Sequence, residues 1–366
     1  MVKYNRKPDL ALVAVTIVLI ILGVLILTSI SASLSFERFG NTYYYLKHQF
    51  LVGILPGILL GFLAFLIPLE FFKKNIIFFL LISLLLLGLV FIPKVGISLG
   101  GANRWIKLGS ILIQPSEFLK ITFLVYLASW LATRTHSQKE WKQTLIAFLI
   151  IIAILSTFLI FQPDIGTLGI VVGFSVIMYF LSDTPIWHTA LIILLGIIAL
   201  IILMKVAPYR ADRIRVFFNP DADPMGVGYQ VKQALITVGS GGVSGVGLGM
   251  SRQKFGFLPQ TMSDSIFALF AEETGFIGSL ILILFFLFFI WRGFKIVRAS
   301  EDKFQKILAA GIVSWISLQA FINIGSMTGL LPLTGVPLPF ISYGCSHLLT
   351  EFVGVGILLH ISKNSN

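Results

Sequence analysis

Leu10-Ala-Leu-Val-Ala-Val-Thr-Ile-Val-Leu-Ile-Ile-Leu-Gly-Val-Leu-Ile-Leu-Thr-Ser-Ile30 is a run of twenty-one residues without a charge. At about 1.5 Å per residue, a helix of this length spans the roughly 30 Å hydrocarbon core of a bilayer. It is too long for a signal-peptide core and no small-x-small cleavage pattern follows it, so it reads as a retained membrane helix. The rest of the chain repeats the pattern. Of its 366 residues, 57% are hydrophobic and only 12% charged, against roughly 25% charged in soluble domains. A window of about twenty residues yields ten candidate spans, at 10–30, 48–68, 74–92, 116–133, 143–161, 165–181, 188–206, 264–291, 304–326 and 342–361. The expectation is an all-α, polytopic integral membrane protein. It would be one membrane domain over 1–366, with about ten transmembrane helices and a large loop, 207–263, between the seventh and eighth.

Basic residues set the orientation. Lys3, Arg6 and Lys7; Lys73 and Lys74; Arg134, Lys139 and Lys142; Arg292, Lys295, Arg298, Lys303 and Lys306; and Lys363 all fall on one side. The positive-inside rule makes that side cytoplasmic, so both termini are cytoplasmic and the 207–263 loop faces outward. That loop nevertheless holds Arg210, Arg213, Arg215, Lys232, Arg252 and Lys254, with Lys205 at its edge. Two readings account for them: contact with anionic lipid headgroups, or a pyrophosphate site in which Arg210 and Arg213 share a helical face. The single cysteine, Cys345, rules out an internal disulfide and has no cysteine partner for a metal. The glycine run 239–249 lacks the Gly-Lys-Ser/Thr of a phosphate-binding loop. It serves either as a flexible tether or as chain that lies close to membrane or substrate.

The polar residues at helix boundaries carry the chemistry. Gln114-Pro-Ser-Glu117-Phe-Leu-Lys120 opens the fourth span with proline early and Glu117 toward the positive end of the helix dipole. Glu117 and Lys120, three apart, can pair. Asp164, in Gln162-Pro-Asp164, sits at the mouth of the sixth span, where its plain role is a helix cap. Glu272 and Glu273 fall inside the eighth span and read as hydrogen-bonding groups within the bundle. Asp264 ends a long polar loop just before that span. Ser263, Asp264 or Ser265 would serve as its cap; equally, a carboxylate beside so many cations can take a proton from a sugar hydroxyl while they hold a departing pyrophosphate.

Several blocks together resemble one family. They are Gly100-Gly-Ala-Asn-Arg104-Trp-Ile, Gln114-Pro-Ser-Glu-Phe-Leu-Lys120, Gln162-Pro-Asp-Ile-Gly-Thr167, Tyr209-Arg-Ala-Asp-Arg213, Gly228-Tyr-Gln230, Phe257-Leu-Pro with Ser263-Asp264, and Gly335-Val-Pro-Leu-Pro-Phe-Ile-Ser-Tyr-Gly344. Their order and content are similar to the SEDS family (shape, elongation, division and sporulation), and 219–230 with 251–254 resemble its division branch, FtsW, more than its elongation branch, RodA. The resemblance implies a peptidoglycan glycosyltransferase that polymerises lipid II at the outer face of the bacterial cytoplasmic membrane. It implies Asp264 as the base acting on the acceptor's 4-hydroxyl, with undecaprenyl pyrophosphate leaving. Lys120, Arg210 and Arg213 would meet the pyrophosphate. Arg104, Gln230, Lys254 and Ser342 lie in matching blocks as further substrate contacts, with Glu117, Asp164 and Glu272 in a supporting polar network.

Implied partners are lipid II, the growing glycan strand, a class B penicillin-binding protein and other divisome or elongasome proteins; no nucleic acid is expected. No organic cofactor is expected, no metal ligands are assigned, and the sequence does not show whether a divalent cation assists. The chain departs from the family at Gln260, Met262-Ser263, Cys345 and His347. Three rivals stand beside the division polymerase: a lipid II flippase or transporter, an elongation-type polymerase, and a scaffold that only recruits a transpeptidase.

Overall fold

The computed structural model describes residues 7–99, 102–109, 111–134, 141–206 and 208–365. Lys3, Arg6 and Lys139 of the basic groups, Gly100 and Gly101 of the first family block, and Ala207 at the loop edge lie outside them.

The first apolar run forms α1 (Leu10–Phe39), longer than the expected span. Asp9 caps it by accepting from the Leu12 amide at 2.9 Å, and Gly40 ends it in the left-handed conformation, φ 65°. Asp9 also holds Arg292 at 2.5 Å. The second span is composite: α2 (Tyr44–His48), a π-helical stretch (Gln49–Ile54) and α3 (Leu55–Leu66). Pro56, in the first turn of α3, has no amide proton to give the preceding turn, and the wider π turn precedes it. Then follow α4 (Leu69–Leu89), α5 (Pro115–Ala132), α6 (Trp141–Phe161), α7 (Ile165–Phe180) and α8 (Ile186–Val206).

Between α4 and α5 lies a three-stranded antiparallel sheet: β1 (Gly96–Leu99), β2 (Ala102–Leu108) and β3 (Ile111–Ile113), in the order β1-β2-β3. Ile97 pairs with Trp105 and Ile106 with Ile113.

The expected external loop is partly helical, with α9 (Pro208–Phe218), a 3-10 turn (Pro220–Ala222) and α10 (Val227–Ser240). The chain closes with α11 (Ile266–Ala299), α12 (Lys303–Met327) and α13 (Cys345–Ser365). Among the described residues, eight helices are long and apolar enough to cross a membrane. The expected fourth and sixth spans fall on α5, which carries Glu117 and Lys120, and on α7, an apolar helix of sixteen residues.

Most of α12 and α13 is buried, whereas α8 is almost wholly exposed along its length. Lipid is as apolar as leucine, so close packing and not water exclusion must bind helices inside a bilayer. The α3–α13 contact shows the means. A Cβ at Gly61 would come within 2.7 Å of the Phe352 carbonyl, and one at Gly356 within 2.1 Å of the Gly61 carbonyl. Only glycine permits that approach.

The eighth span is broken. Gly275 has φ 69° and ψ −166°, which separates a short buried half, 266–274, from the long remainder of α11. The glycine-rich segment fills the break. Gly242 and Val243 carbonyls accept from the amides of Phe276 (2.9 Å) and Ile277 (3.1 Å), while Val246 and Gly247 amides donate to the carbonyls of Glu272 (3.0 Å) and Glu273 (3.1 Å). A Cβ at Gly241 would sit 2.1 Å from the Ala271 carbonyl. These glycines therefore serve close approach of one backbone to another, and the flexible-tether reading does not hold.

Candidate active site

Asp264 lies in the last turn of loop before α11. The cap position is Ser265, which makes no side-chain cap bond; its hydroxyl donates instead to the Pro259 carbonyl at 2.9 Å. The Asp264 carboxylate faces the loop after α12. Gly335 there has φ 73°, and a Cβ on it would lie 3.3 Å from Asp264 Oδ2.

Three consecutive carbonyls hold this turn to the rest of the bundle. Met262 O accepts from the Tyr343 amide at 2.8 Å. Ser263 O accepts from the Ser342 hydroxyl at 2.6 Å. Asp264 O accepts from Asn323 Nδ2 at 2.8 Å, and the same amide nitrogen donates to Val336 O at 2.7 Å. Ser342 Oγ in turn accepts from the Leu338 amide at 2.8 Å. The aspartate's backbone is thus fixed by α12 and by the 328–344 loop, not by its own helix. Asn323 is fully buried and its Oδ1 has no hydrogen-bond partner among the described residues.

Charges of both signs converge on the carboxylate. Removal from water pushes its pKa up, Arg104 and Arg213 pull it down, the Ser263 hydroxyl adds a smaller downward pull and Asp164 pushes it up; the balance is about 6. The residue keeps partial solvent access. A carboxyl held there is mostly ionised at neutral pH yet a stronger base than an ordinary aspartate.

Arg104 reaches in from β2. Its Nε donates to the Gln162 carbonyl at 3.3 Å, Nη2 to the Pro163 carbonyl, and Nη1 lies 3.6 Å from Asp164 Oδ1. Asp164 is the N-cap of α7, accepting from the Thr167 amide at 3.4 Å and from Ser116 Oγ at 3.2 Å. Arg213 donates to Leu333 O at 3.1 Å and Arg210 to Ile160 O at 3.3 Å. Gln230 donates to the Ser265 hydroxyl at 3.4 Å. Asp264, Arg104, Arg213, Asp164, Gln230 and Ser342 therefore gather around one mouth.

Other expected residues stand apart from that mouth. Lys120 is buried, 2.8 Å from Glu117 Oε2 and 2.9 Å from Gln319 Oε1, with its ammonium 5.0 Å from the Trp315 ring. Gln319 also donates to Pro337 O at 3.2 Å and to Glu351 Oε1 at 3.2 Å, while Glu351 Oε2 accepts from the Phe340 amide at 2.8 Å. Trp315, Gln319 and Asn323 repeat at four-residue spacing on α12, linking the Lys120 pair to the turn that carries Asp264. Lys254 donates to Ser29 O at 3.3 Å and Gly249 O at 2.6 Å, 3.9 Å from Glu273. Glu272 accepts from the Ser251 hydroxyl and from the Arg252 amide at 3.2 Å.

Sequence reasoning missed Asn323, Gln319 and Glu351. The available signal was a polar residue inside an apolar helix, which is costly and so by default has a task.

The FtsW/RodA/SpoVE cell cycle protein model matches residues 9–366. The chain belongs to this family. It is 38% identical to stage V sporulation protein E of Bacillus subtilis (strain 168), over 99% of this chain and 98% of that one. It is also 38% identical to a probable peptidoglycan glycosyltransferase FtsW of Coxiella burnetii, over 97% of this chain and 96% of that one. In three dimensions it matches a chain described under "Structural coordination of polymerization and crosslinking by a peptidoglycan synthase complex", with TM-score 0.79, 26% identity and 98% of each chain covered. The helical membrane architecture of this FtsW/RodA/SpoVE protein is thus that of its relatives. The chain is an integral membrane protein.

Proposed function

We propose that this chain is a peptidoglycan glycosyltransferase that polymerises lipid II at the outer face of the bacterial cytoplasmic membrane, in septum or spore wall synthesis. The observation that carries the proposal is Asp264: a carboxyl with raised pKa, backbone-fixed, beside two guanidiniums, in a chain whose relatives bear that activity in their names. Asp264 takes the proton of the acceptor's 4-hydroxyl as that oxygen bonds to the donor's anomeric carbon. The anomeric C–O bond breaks, and undecaprenyl pyrophosphate leaves with the electron pair. Arg104 and Arg213, with Arg210 behind them, neutralise the charge that develops on it.

Lys120 acts from the interior, through Gln319 and the 328–344 loop, and Lys254 through the fold of its own loop. A divalent ion, where one takes part, enters with the pyrophosphate; among the described residues no group of three His, Cys, Asp or Glu side chains is placed to hold one.

Both termini are cytoplasmic in this account, which puts Asp264 outside. The partner is a class B penicillin-binding protein, supported by the synthase complex that the chain's fold matches.

A second reading has its own observation. The break at Gly275 and the proline boundaries at Pro115 and Pro163 are features of the interrupted helices of secondary transporters. One experiment separates the two. Vesicles containing the protein, with and without its transpeptidase, receive lipid II; a polymerase yields glycan strands that vanish in Asp264→Ala with lipid movement unchanged. A flippase moves lipid II and yields none. Strands of normal length from a folded Asp264→Ala protein remove Asp264 from the mechanism, and a scaffold would support wall synthesis in cells carrying the same variant.

A further inference from the structure

The break in α11 raises a question of depth. Arg292 and Asp9 form an ion pair, and Trp291 beside it is exposed, as expected where a helix leaves the hydrocarbon. Phe276, the first residue past the break, lies sixteen residues before Arg292, about 24 Å along the helix, and Glu273 lies just beyond it on the far side of Gly275. Ser29 lies twenty residues after Asp9, about 30 Å along α1. These two independently counted positions meet: Ser29 Oγ donates to Glu273 Oε1 at 2.6 Å, with Lys254 Nζ 3.9 Å from the same oxygen. A polar cluster one bilayer thickness from the Asp9–Arg292 pair marks the opposite hydrocarbon boundary.

Phe276 and Ile277 begin the long half of α11, on the membrane side of Glu273. Both are exposed on the helix surface. Their amides bond to the carbonyls of Gly242 and Val243, so that part of the glycine segment lies at the same depth. Irregular backbone survives in hydrocarbon only where its polar groups are met by protein, and at the depth of Phe276 and Ile277 the Gly242 and Val243 carbonyls are met by the α11 amides. Besides the four bonds to α11, the Gly245 amide donates to Gly241 O at 2.8 Å and Met250 to Gly247 O at 3.1 Å. The side chains point the other way: Val243, Leu248 and Met250 are 68%, 67% and 69% exposed, and Val246 is exposed as well. They continue the apolar surface of Phe276, Ile277 and Leu280, with Arg252 exposed at the rim.

We propose that residues 241–250 form a re-entrant loop whose Val243, Val246, Leu248 and Met250 side chains sit among the acyl chains of the leaflet on the Asp264 side. The partner of this surface is the bilayer itself. The loop anchors the half-helix 266–274, and with it the Asp264 turn, to the membrane. The proposal depends neither on Asp264 as base nor on which face is external.

The single native thiol, Cys345, is buried, which suits site-directed labelling. Val243→Cys and Leu248→Cys carry a nitroxide in phosphatidylglycerol–phosphatidylethanolamine nanodiscs, with Asp221→Cys as the exposed polar control. The expected result is relaxation of the Val243 and Leu248 labels by oxygen in preference to a water-soluble nickel chelate, the reverse at Asp221. Reaction with a charged maleimide should be at least tenfold slower at both loop positions. Chelate access equal to that of Asp221, or shielding from both reagents, overturns the proposal. Using two loop positions guards against one variant that does not fold, and monodispersity on a sizing column establishes folding separately.

Discussion

Asn323→Ala tests whether the aspartate is placed from α12. The side chain donates at 2.8 Å to Asp264 O and at 2.7 Å to Val336 O, and it is fully buried. Its removal leaves two carbonyls without a donor. A net contribution of about 1 to 1.5 kcal/mol per bond gives ~2 to 3 kcal/mol, on the order of a 30- to 160-fold shift in the population holding the Asp264 turn. Because the bonds go to backbone and not to substrate, the loss belongs in kcat, with KM for lipid II little changed. Burial, Arg104 and Arg213 set the proton affinity of the carboxylate, so the pH midpoint of activity should stay near that of wild type. The assay is initial-rate polymerisation of fluorescent lipid II by the purified protein with its transpeptidase, across pH 5 to 8. A folded Asn323→Ala protein within about twofold of wild-type kcat refutes the reasoning. So does one whose only change is in KM.

Other outcomes follow from the same geometry. With a raised pKa of about 6 on a group that must be ionised to act, activity should fall as pH drops through 6, by roughly tenfold at pH 5 relative to the plateau. The sign for stability is opposite: a carboxyl whose folded value exceeds its unfolded one costs stability when ionised. Lowering pH from 7 to 5 should therefore raise the melting temperature of wild type relative to Asp264→Asn. Gly335→Ala places a Cβ 3.3 Å from Asp264 Oδ2 at φ 73°; about 1 to 2 kcal/mol of backbone strain, read by thermal melting, should accompany a loss of rate of about tenfold. Glu351→Gln retains an acceptor oxygen for the Phe340 amide, and its rate should stay within about threefold, whereas Glu351→Ala should lose tenfold or more.

The membrane architecture was legible because a bilayer imposes one simple demand, an apolar run about twenty residues long. Asp264 and Arg213 were legible as charges that hydropathy could not explain, and Arg104 through the family block that contains it. What holds Asp264 was not. Asn323 and Ser342 act on backbone carbonyls, 59 and 79 residues distant in sequence, and a carbonyl has no residue type to be read. The break at Gly275 was hidden for a different reason. A hydropathy window averages over about five turns, whereas a single glycine φ of 69° interrupts the helix, and the compensating bonds come from the glycine run that looked like a tether. The Glu117–Lys120 pair was legible in its three-residue spacing, though its link to Gln319 was not; Lys254 shows the limit of counting cations, being drawn to Glu273 and Ser29.

The most direct test of the account is glycan strand formation from lipid II by Asp264→Asn, an isosteric change that leaves the Asn323 bond to the backbone in place. The account predicts a loss on the order of a thousandfold in rate for removing a base together with its charge, with lipid II binding close to wild type and a melting temperature at neutral pH no lower than wild type. A folded Asp264→Asn protein that polymerises lipid II within tenfold of wild type would contradict it.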